Sequence, residues 1–247
     1  MIAGPSESIG ELGYWCTGGS LEMGINLSSK QKELFERYYQ IILRRNEQAN
    51  LTAILSEKEV ALKHFVDSLS CLLVAPVEGN SLVVDVGSGA GLPGIPLKIV
   101  RPEISLTLIE SSAKKAEFLK EAVLLLGLPD VKVVLGRVEE ISHRQDYREL
   151  FDYAVCRAVA PLPVVIEYCL GLVRAGGWMI ALKGPAAVAE EKECNRALSL
   201  LGGALREVRQ MTLPYLEHRR RLIVIEKIQK TPSEYPRRVG VPAKRPL

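Results

Sequence analysis

The chain has 247 residues, a quarter of them charged, and its formal net charge is only +3 at pH 7. This length suits one large α/β domain with an extension, and the low net charge means that any affinity for nucleic acid must come from local basic patches. Five cysteines without a Cys-x-x-Cys pair, together with three widely spaced histidines, argue against a disulfide framework or a metal site. They favour reduced thiols and a cytoplasmic protein, and no apolar run reaches the length of about 18 residues that a membrane span needs.

Residues 1–24 are expected to be a loosely ordered N-terminal extension. The segment is rich in glycine, and the first basic residue of the chain is Lys30, so a secretory signal is not predicted. Because recognisable structure is predicted only after Met23, one hypothesis is that translation starts at Met23.

Residues 25–78 are predicted to form an N-terminal helical cap. Ser28 with Gln31, and Ser56 with Glu59, have the spacing of capping boxes, in which each serine begins a helix. Apolar residues follow both serines at helical spacing. Two amphipathic helices packed beside a sheet domain are therefore expected.

A glycine-rich loop follows the first predicted strand. This strand ends on Asp85, and Gly87, Gly89 and Gly91 come directly after it. A dinucleotide-binding loop would have its third glycine at the next position, where this chain has Leu92. The loop instead resembles that of class I S-adenosylmethionine methyltransferases, in which it wraps the methionine part of the cofactor.

Strands and helices alternate over residues 79–229, the methyltransferase domain of this interpretation. Such alternation predicts a Rossmann-like α/β fold with a seven-stranded, mostly parallel sheet. The last two predicted strands, Leu205 to Met211 and Leu222 to Glu226, are expected to close the sheet as a hairpin-like edge.

Two further groups are expected at the same rim as the glycine loop. Glu110 ends the second strand, where a carboxylate can accept both ribose hydroxyls of an adenosine, although a nicotinamide dinucleotide would present a ribose there too. The turn after the third strand contains Val138 and Glu139, which are placed to meet an adenine ring. Each acid could instead be an ordinary solvated carboxylate.

The end of the fourth strand bears on the kind of methylation. Cys156 lies near the rim, but alternation along the strand places it and Arg157 on opposite faces, so a buried thiol is favoured over a nucleophile. The motif of exocyclic-amine methyltransferases is absent from the sequence here. Guanine N7 has a free lone pair and is a good acceptor without a general base.

Six motifs follow one another along the chain: Asn50-Leu51-Thr52, His64 to Ser68, Asp85 to Pro96, Arg137 to Glu140, Arg157-Ala158 and Lys183-Gly184. In this order they resemble the ribosomal RNA small-subunit methyltransferase G family, formerly called glucose-inhibited division protein B. The resemblance covers residues 25–247 and implies methyl transfer from S-adenosylmethionine to N7 of one guanine in the decoding-region loop of 16S RNA. It also implies that Gly87, Leu92, Val138, Glu139 and Arg157 match cofactor-binding positions.

Basic residues supply candidates for RNA binding. Arg137, Lys183 and Arg220 are expected to line the approach of the RNA, because arginine can form a pair of hydrogen bonds with a phosphate and can stack on an unpaired base. The tail, residues 230–247, has five basic residues and resembles that of Gram-positive relatives. His64 and Asp67, three apart on one helix, are expected to share a structural hydrogen bond.

Other classes of protein explain part of the sequence. A nicotinamide oxidoreductase would account for Glu110 but not for Leu92, and a methyltransferase of proteins or small molecules would leave the basic tail without a role. A non-enzymatic RNA-binding protein would leave the glycine loop without one. The expected partner is 16S RNA or the small ribosomal subunit, and the expected oligomeric state is a monomer.

Overall fold

The computed structural model describes residues 10–247, and its centre is a seven-stranded sheet. The strand order is β3-β2-β1-β4-β5-β7-β6. Only β7 runs antiparallel to its neighbours β5 and β6, so the predicted antiparallel edge and mostly parallel sheet are confirmed. The strands are β1 Leu82–Val86, β2 Ser105–Glu110, β3 Val131–Leu135, β4 Phe151–Arg157, β5 Val173–Lys183, β6 Gly203–Thr212 and β7 Arg219–Lys227.

Helices cover both faces of the sheet. The N-terminal ones are α1 Glu11–Glu22, α2 Ser29–Ala49 and a continuous helical segment made of α3 Glu57–Val60, a π-helical turn Ala61–Val66, α4 Asp67–Leu69 and a 3-10 turn Ser70–Leu73. The others are α5 Gly94–Val100, α6 Ala113–Leu126, α7 Val138–Ile141, α8 Leu162–Leu170, α9 Ala187–Glu193, α10 Asn195–Leu201 and α11 Val241–Lys244.

Each face of the sheet has its own hydrophobic core. On one face the N-terminal helices, α5 and α6 pack on alternate strand residues such as Val83 and Leu108. On the other face α7, α8 and α10 pack on residues such as Val84 and Ile109. Because successive strand residues point to opposite faces, a parallel strand buried on both sides is apolar along its whole length.

The two predicted capping boxes have different outcomes. At α2 the side chains of Ser28 and Gln31 each accept a hydrogen bond from the other residue's main-chain amide, so this capping box is confirmed. At α3 the hydroxyl of Ser56 donates to the carboxylate of Glu59 at 3.1 Å and caps no main-chain amide. The second capping box was therefore wrong, although a helix does begin there.

The expectation of a loosely ordered N-terminal segment is wrong for the part that forms α1, whereas residues 1–9 lie outside the described residues. Leu12 and Cys16 are buried in the core shared with α2. The first amides of the helix donate to glutamates of the cap, Leu12 to Glu57 at 2.8 Å and Gly13 to Glu36 at 2.7 Å. Structure therefore begins well before Met23, and this removes the reason for proposing a start there.

The docking of α1 can be tested with two leucines of the same helix. We expect Leu12→Ala to lower the free energy of unfolding by about 3 kcal/mol, because it leaves a cavity in a closed core. Leu21, which is 59% exposed, provides the matched control, and Leu21→Ala should change stability by about 0.5 kcal/mol or less. Urea unfolding of both variants measures the difference. Equal, small effects would contradict the docking of α1.

Candidate functional site

The glycine loop turns sharply at the carboxyl end of β1. The amides of Gly87 and Ser88 both donate to the carbonyl of Ile109, at 2.9 and 3.1 Å, which fastens the loop to the end of β2. Gly87 and Gly91 have positive φ angles of 70° and 85°. A Cβ atom at Gly91 would lie 2.5 Å from Ile95 and 2.7 Å from the hydroxyl of Tyr38, so no larger residue fits there.

Buried carboxylates hold this loop from two sides. The Oδ2 atom of Asp85 accepts from the amide of Gly94 at 2.8 Å, whereas its Oδ1 atom has no hydrogen-bond partner within residues 10–247. Glu110 accepts from the amides of Gly89 at 2.9 Å and Ser112 at 2.7 Å. Glu110, the residue predicted to bind the ribose, therefore also fixes the shape of the loop.

The pKa of Asp85 is raised to about 7, chiefly by burial and to a smaller extent by the charge of Glu110. The hydrogen bond from Gly94 and the charge of Arg157 act in the opposite direction. An unpaired, buried carboxylate oxygen favours the approach of a cationic or hydrogen-donating group, because such a group stabilises the ionised form.

The loop and the turn after β3 share one pocket. Gly87, Arg137, Val138 and Glu139 line it together with Val159 and Tyr168. The predicted adenine-side residues therefore do lie beside the glycine loop. Leu92, in contrast, is buried in the core that also contains Tyr38.

Glu139 connects this pocket to the C-terminal tail. Its Oε1 atom accepts from the amide of Gly240 at 3.0 Å. Burial, together with the charge of Glu139 and a hydrogen bond to it, raises the pKa of Tyr168 to about 12. Nearby, the guanidinium of Arg237 forks onto the fully buried carboxylate of Glu167, with an Nη2–Oε2 distance of 2.7 Å. At least one basic residue of the tail is thus bound to the methyltransferase domain and is not free to meet RNA.

A second, larger pocket of about 400 Å³ is separated from the pocket of the glycine loop by the short segment that follows β4. Arg157, Lys183 and Arg220 line it, as do His64 and His218. Arg157, which was expected at the cofactor, is therefore grouped with two of the candidate RNA residues. Arg137, the third RNA candidate, lines the pocket of the glycine loop instead.

The backbone between the two pockets explains this division. Ala158 has a φ of +55°, a left-handed conformation that is uncommon for a residue other than glycine. Arg157 and Ala158 consequently border the larger pocket, whereas Val159 packs over Gly87. A Cβ atom added at Gly87 would lie 2.8 Å from the side chain of Val159. Lys183 supports this connection by donating to the carbonyl of Ala160 at 2.7 Å.

Ionic contacts organise the larger pocket. Lys183 pairs with Glu190 at 2.7 Å. Burial and the charge of Arg157 lower the pKa of His64 to about 4, so His64 is neutral at pH 7. The expected hydrogen bond between His64 and Asp67 was wrong, because Arg157 lies between them and contacts both.

Sequence reasoning missed three residues of the site and gave a fourth the wrong partner. Tyr38 belongs to α2, yet its hydroxyl donates to the carbonyl of Ala90 in the glycine loop. Val159 and Tyr168 are apolar and aromatic residues without a motif, and Asp67 was assigned the wrong partner. The capping and periodicity of α2 predict that Tyr38 faces the core, but nothing in the sequence identifies its acceptor.

Among the described residues, no helix is long and apolar enough to span a membrane, and no cluster of histidine, cysteine and acidic side chains could hold a metal ion. All five thiols are free and buried.

The strand order, together with the glycine loop after β1, defines a class I S-adenosylmethionine-dependent methyltransferase fold. TrmN from Thermus thermophilus has this fold at 17% identity and a TM-score of 0.52, covering 78% of this chain and 53% of that one. A predicted O-methyltransferase from Agrobacterium tumefaciens has it at 20% identity and a TM-score of 0.53, with coverages of 67% and 82%. At these identities the similarity shows the fold alone.

The sequence profile described as rRNA small subunit methyltransferase G, or GidB, matches residues 31–223. The ribosomal RNA small subunit methyltransferase G of Pelotomaculum thermopropionicum is 49% identical over 229 residues, which are 93% of this chain and 96% of that protein. The protein of the same name from Lactobacillus acidophilus is 45% identical over 90% of this chain and 93% of its own. The chain belongs to this family, and it is an rRNA methyltransferase with S-adenosylmethionine as methyl donor.

The anchoring of the tail can be tested at its ion pair. We expect Arg237→Ala to lower the free energy of unfolding by about 3 kcal/mol, because it leaves the buried Glu167 without its charged partner. The neighbouring Arg238 is exposed, so Arg238→Ala is a matched control and should change stability by about 0.5 kcal/mol or less. Denaturant unfolding compares the two variants, and an unaffected Arg237→Ala would show that the tail is not anchored by this pair.

Proposed function

We propose that this protein transfers the methyl group of S-adenosylmethionine to N7 of one guanine in the decoding-region loop of 16S rRNA, directly and without a covalent enzyme intermediate. The observation that carries the proposal is the position of Ala158 and Val159, which border two different pockets: Val159 lines the pocket at the glycine loop, and Ala158 lines a basic pocket of about 400 Å³. A cationic cofactor and a nucleotide can thus approach the same short segment from opposite sides.

The residues of the glycine loop, together with those of the pocket beside it, fit the cofactor. The unpaired Oδ1 of Asp85 supports an interaction with the ammonium of its methionine part. Gly87 lines the pocket at a position where a Cβ atom would lie 2.8 Å from Val159. Glu110, whose carboxylate is already oriented by two amides, is proposed to accept the ribose hydroxyls, and Val138 and Glu139 to border the adenine. Gly89, Gly91 and Leu92 maintain the loop. The bound cofactor supplies an electrophilic methyl group on a sulfonium.

The second pocket is proposed to receive the target nucleotide. N7 of guanine is unprotonated at neutral pH, so the transfer requires alignment of the two reactants rather than removal of a proton. The neutral His64 is consistent with such a reaction. The Cys156 thiol is buried, which supports direct transfer over a covalent intermediate.

The first experiment measures transfer from labelled S-adenosylmethionine to small ribosomal subunits that lack the modification, followed by digestion to nucleosides. Labelled 7-methylguanosine is the expected product. Label on another nucleoside would refute the N7 assignment while retaining the cofactor. Sedimentation of the same preparation tests the proposed monomer.

Cofactor binding should depend on pH through Asp85. The carboxylate binds a cation only when ionised, so we expect affinity to fall as the pH drops below the pKa of about 7, by about tenfold per pH unit for a single group. Calorimetric titration with S-adenosylmethionine between pH 5.5 and about 8.5 measures this. The Asp85→Asn variant is the control, because its remaining pH dependence belongs to the ligand. Parallel curves for the two proteins would refute the role of Asp85.

Charge removal separates the RNA side from the cofactor side. We expect Lys183→Gln to raise the KM for small subunits by about tenfold, equivalent to about 1.4 kcal/mol, without weakening the binding of S-adenosylmethionine. Arg137→Gln tests whether an arginine beside the glycine loop also reaches the RNA. Arg206→Gln is the matched control, since Arg206 pairs with Glu226 and lies on β6 outside both pockets. An unchanged KM for small subunits in both test variants would refute these assignments.

A further inference from the structure

The buried carboxylate of Asp67 forms ion pairs with two arginines. It lies within the helical segment of the cap and is completely inaccessible to solvent. Arg157, from the end of β4, donates from Nη1 at 2.9 Å. Arg220, from β7, donates from Nε and Nη2 at 2.7 and 2.9 Å. One acid of the cap thus joins two strands that are not neighbours in the sheet.

The cluster carries an uncompensated positive charge. Two guanidinium groups and one carboxylate leave one net positive charge, whereas the other cations of the pocket have acids of their own. Lys183 pairs with Glu190, and Lys63 pairs with Glu59. Burial and the charge of Arg157 lower the pKa of His64, and burial also lowers that of His218, so neither adds charge near neutral pH. The excess charge therefore resides on Arg157 and Arg220.

One edge of the Arg220 guanidinium remains available for a ligand. Asp67 occupies its Nε and Nη2 atoms, and the Nη1 atom has no hydrogen-bond partner within the described residues. The side chain is nevertheless 17% exposed and lines the pocket. A guanidinium clamped on one edge and open on the other binds an oxyanion in a defined direction.

We propose that Asp67 is a positioning residue that fixes Arg157 and Arg220 as a binding site for a backbone phosphate beside the target nucleotide. This inference rests on the proposed function. Methyl transfer to guanine N7 leaves a positive charge on the purine, which two arginines near the ring would oppose. A phosphate in contact with Arg220 neutralises the excess charge, so the arginines face the RNA backbone rather than the reacting nitrogen.

The dependence of KM on salt measures such a contact. Each phosphate neutralised on single-stranded RNA contributes about 0.7 to the slope of log affinity against log salt. We expect Asp67→Asn and Arg220→Gln each to raise the KM for small subunits about tenfold and to lower this slope by about 0.7, with kcat within about twofold. The double variant Asp67→Asn/Arg220→Gln should equal Arg220→Gln alone, because Asp67 acts through the arginines.

Controls separate this role from a loss of folding. Arg206→Gln removes an arginine from another ion pair of the same sheet and should leave the slope unchanged. Arg220→Gln retains the Asp67–Arg157 pair, so it tests the site even where Asp67→Asn unfolds. Thermal unfolding and the affinity for S-adenosylmethionine are measured for every variant.

The outcomes distinguish this inference from the proposed function. Wild-type protein that yields no 7-methylguanosine on small subunits refutes the proposed function. Wild-type activity with an unchanged salt slope in Arg220→Gln overturns the phosphate site. Additive effects of Asp67→Asn and Arg220→Gln overturn the positioning role of Asp67, whereas equal slopes in the single and double variants support it.

Discussion

The burial of carboxylates at one edge of the sheet is the constraint on which the site depends. Moving an ionised carboxylate from water into a protein costs several kcal/mol unless it is paired or hydrogen-bonded. Five buried carboxylates lie here, and each accepts at least one hydrogen bond or ion pair, although the Oδ1 atom of Asp85 has no partner within the described residues. The pairs are Asp67 with Arg157 and Arg220, Asp85 with Gly94, Glu110 with Gly89 and Ser112, Glu139 with Gly240, and Glu167 with Arg237.

Three of these carboxylates, Asp67, Glu139 and Glu167, join segments that are far apart in the sequence. Asp67 connects the N-terminal cap to β4 and β7, and Tyr38 adds a hydrogen bond from the cap to the glycine loop. Glu139 and Glu167 hold the C-terminal tail against α7 and α8. The edge of the sheet where the strands end is therefore closed by both ends of the described chain, so changes in the cap or the tail alter the pockets without touching a ligand.

The sheet and the glycine loop could be predicted because their signals are local. A buried strand followed by Gly87, Gly89 and Gly91 leaves few alternatives for the backbone. Helix α1 could not be predicted from its sequence, since it contains glycines and no basic residue, and tertiary contacts such as that of Leu12 stabilise it. The division of the basic residues between two pockets depends on the left-handed conformation of Ala158. The sequence does not indicate this conformation, because the residue is not a glycine.

The two pockets differ in charge, and the proposed reaction moves charge from one to the other. In the proposed reaction the sulfonium would lie on the side of Asp85 and Glu110, and the purine would acquire its positive charge on the side of Arg157 and Arg220. Such a transfer is opposed by the arginines unless the RNA backbone neutralises them. Binding of the polynucleotide and the chemical step are then coupled by electrostatics. An isolated guanosine has no phosphate, so the same arginines that attract RNA would make it a poor acceptor of the methyl group. Selectivity for RNA then follows without any contact that recognises a base.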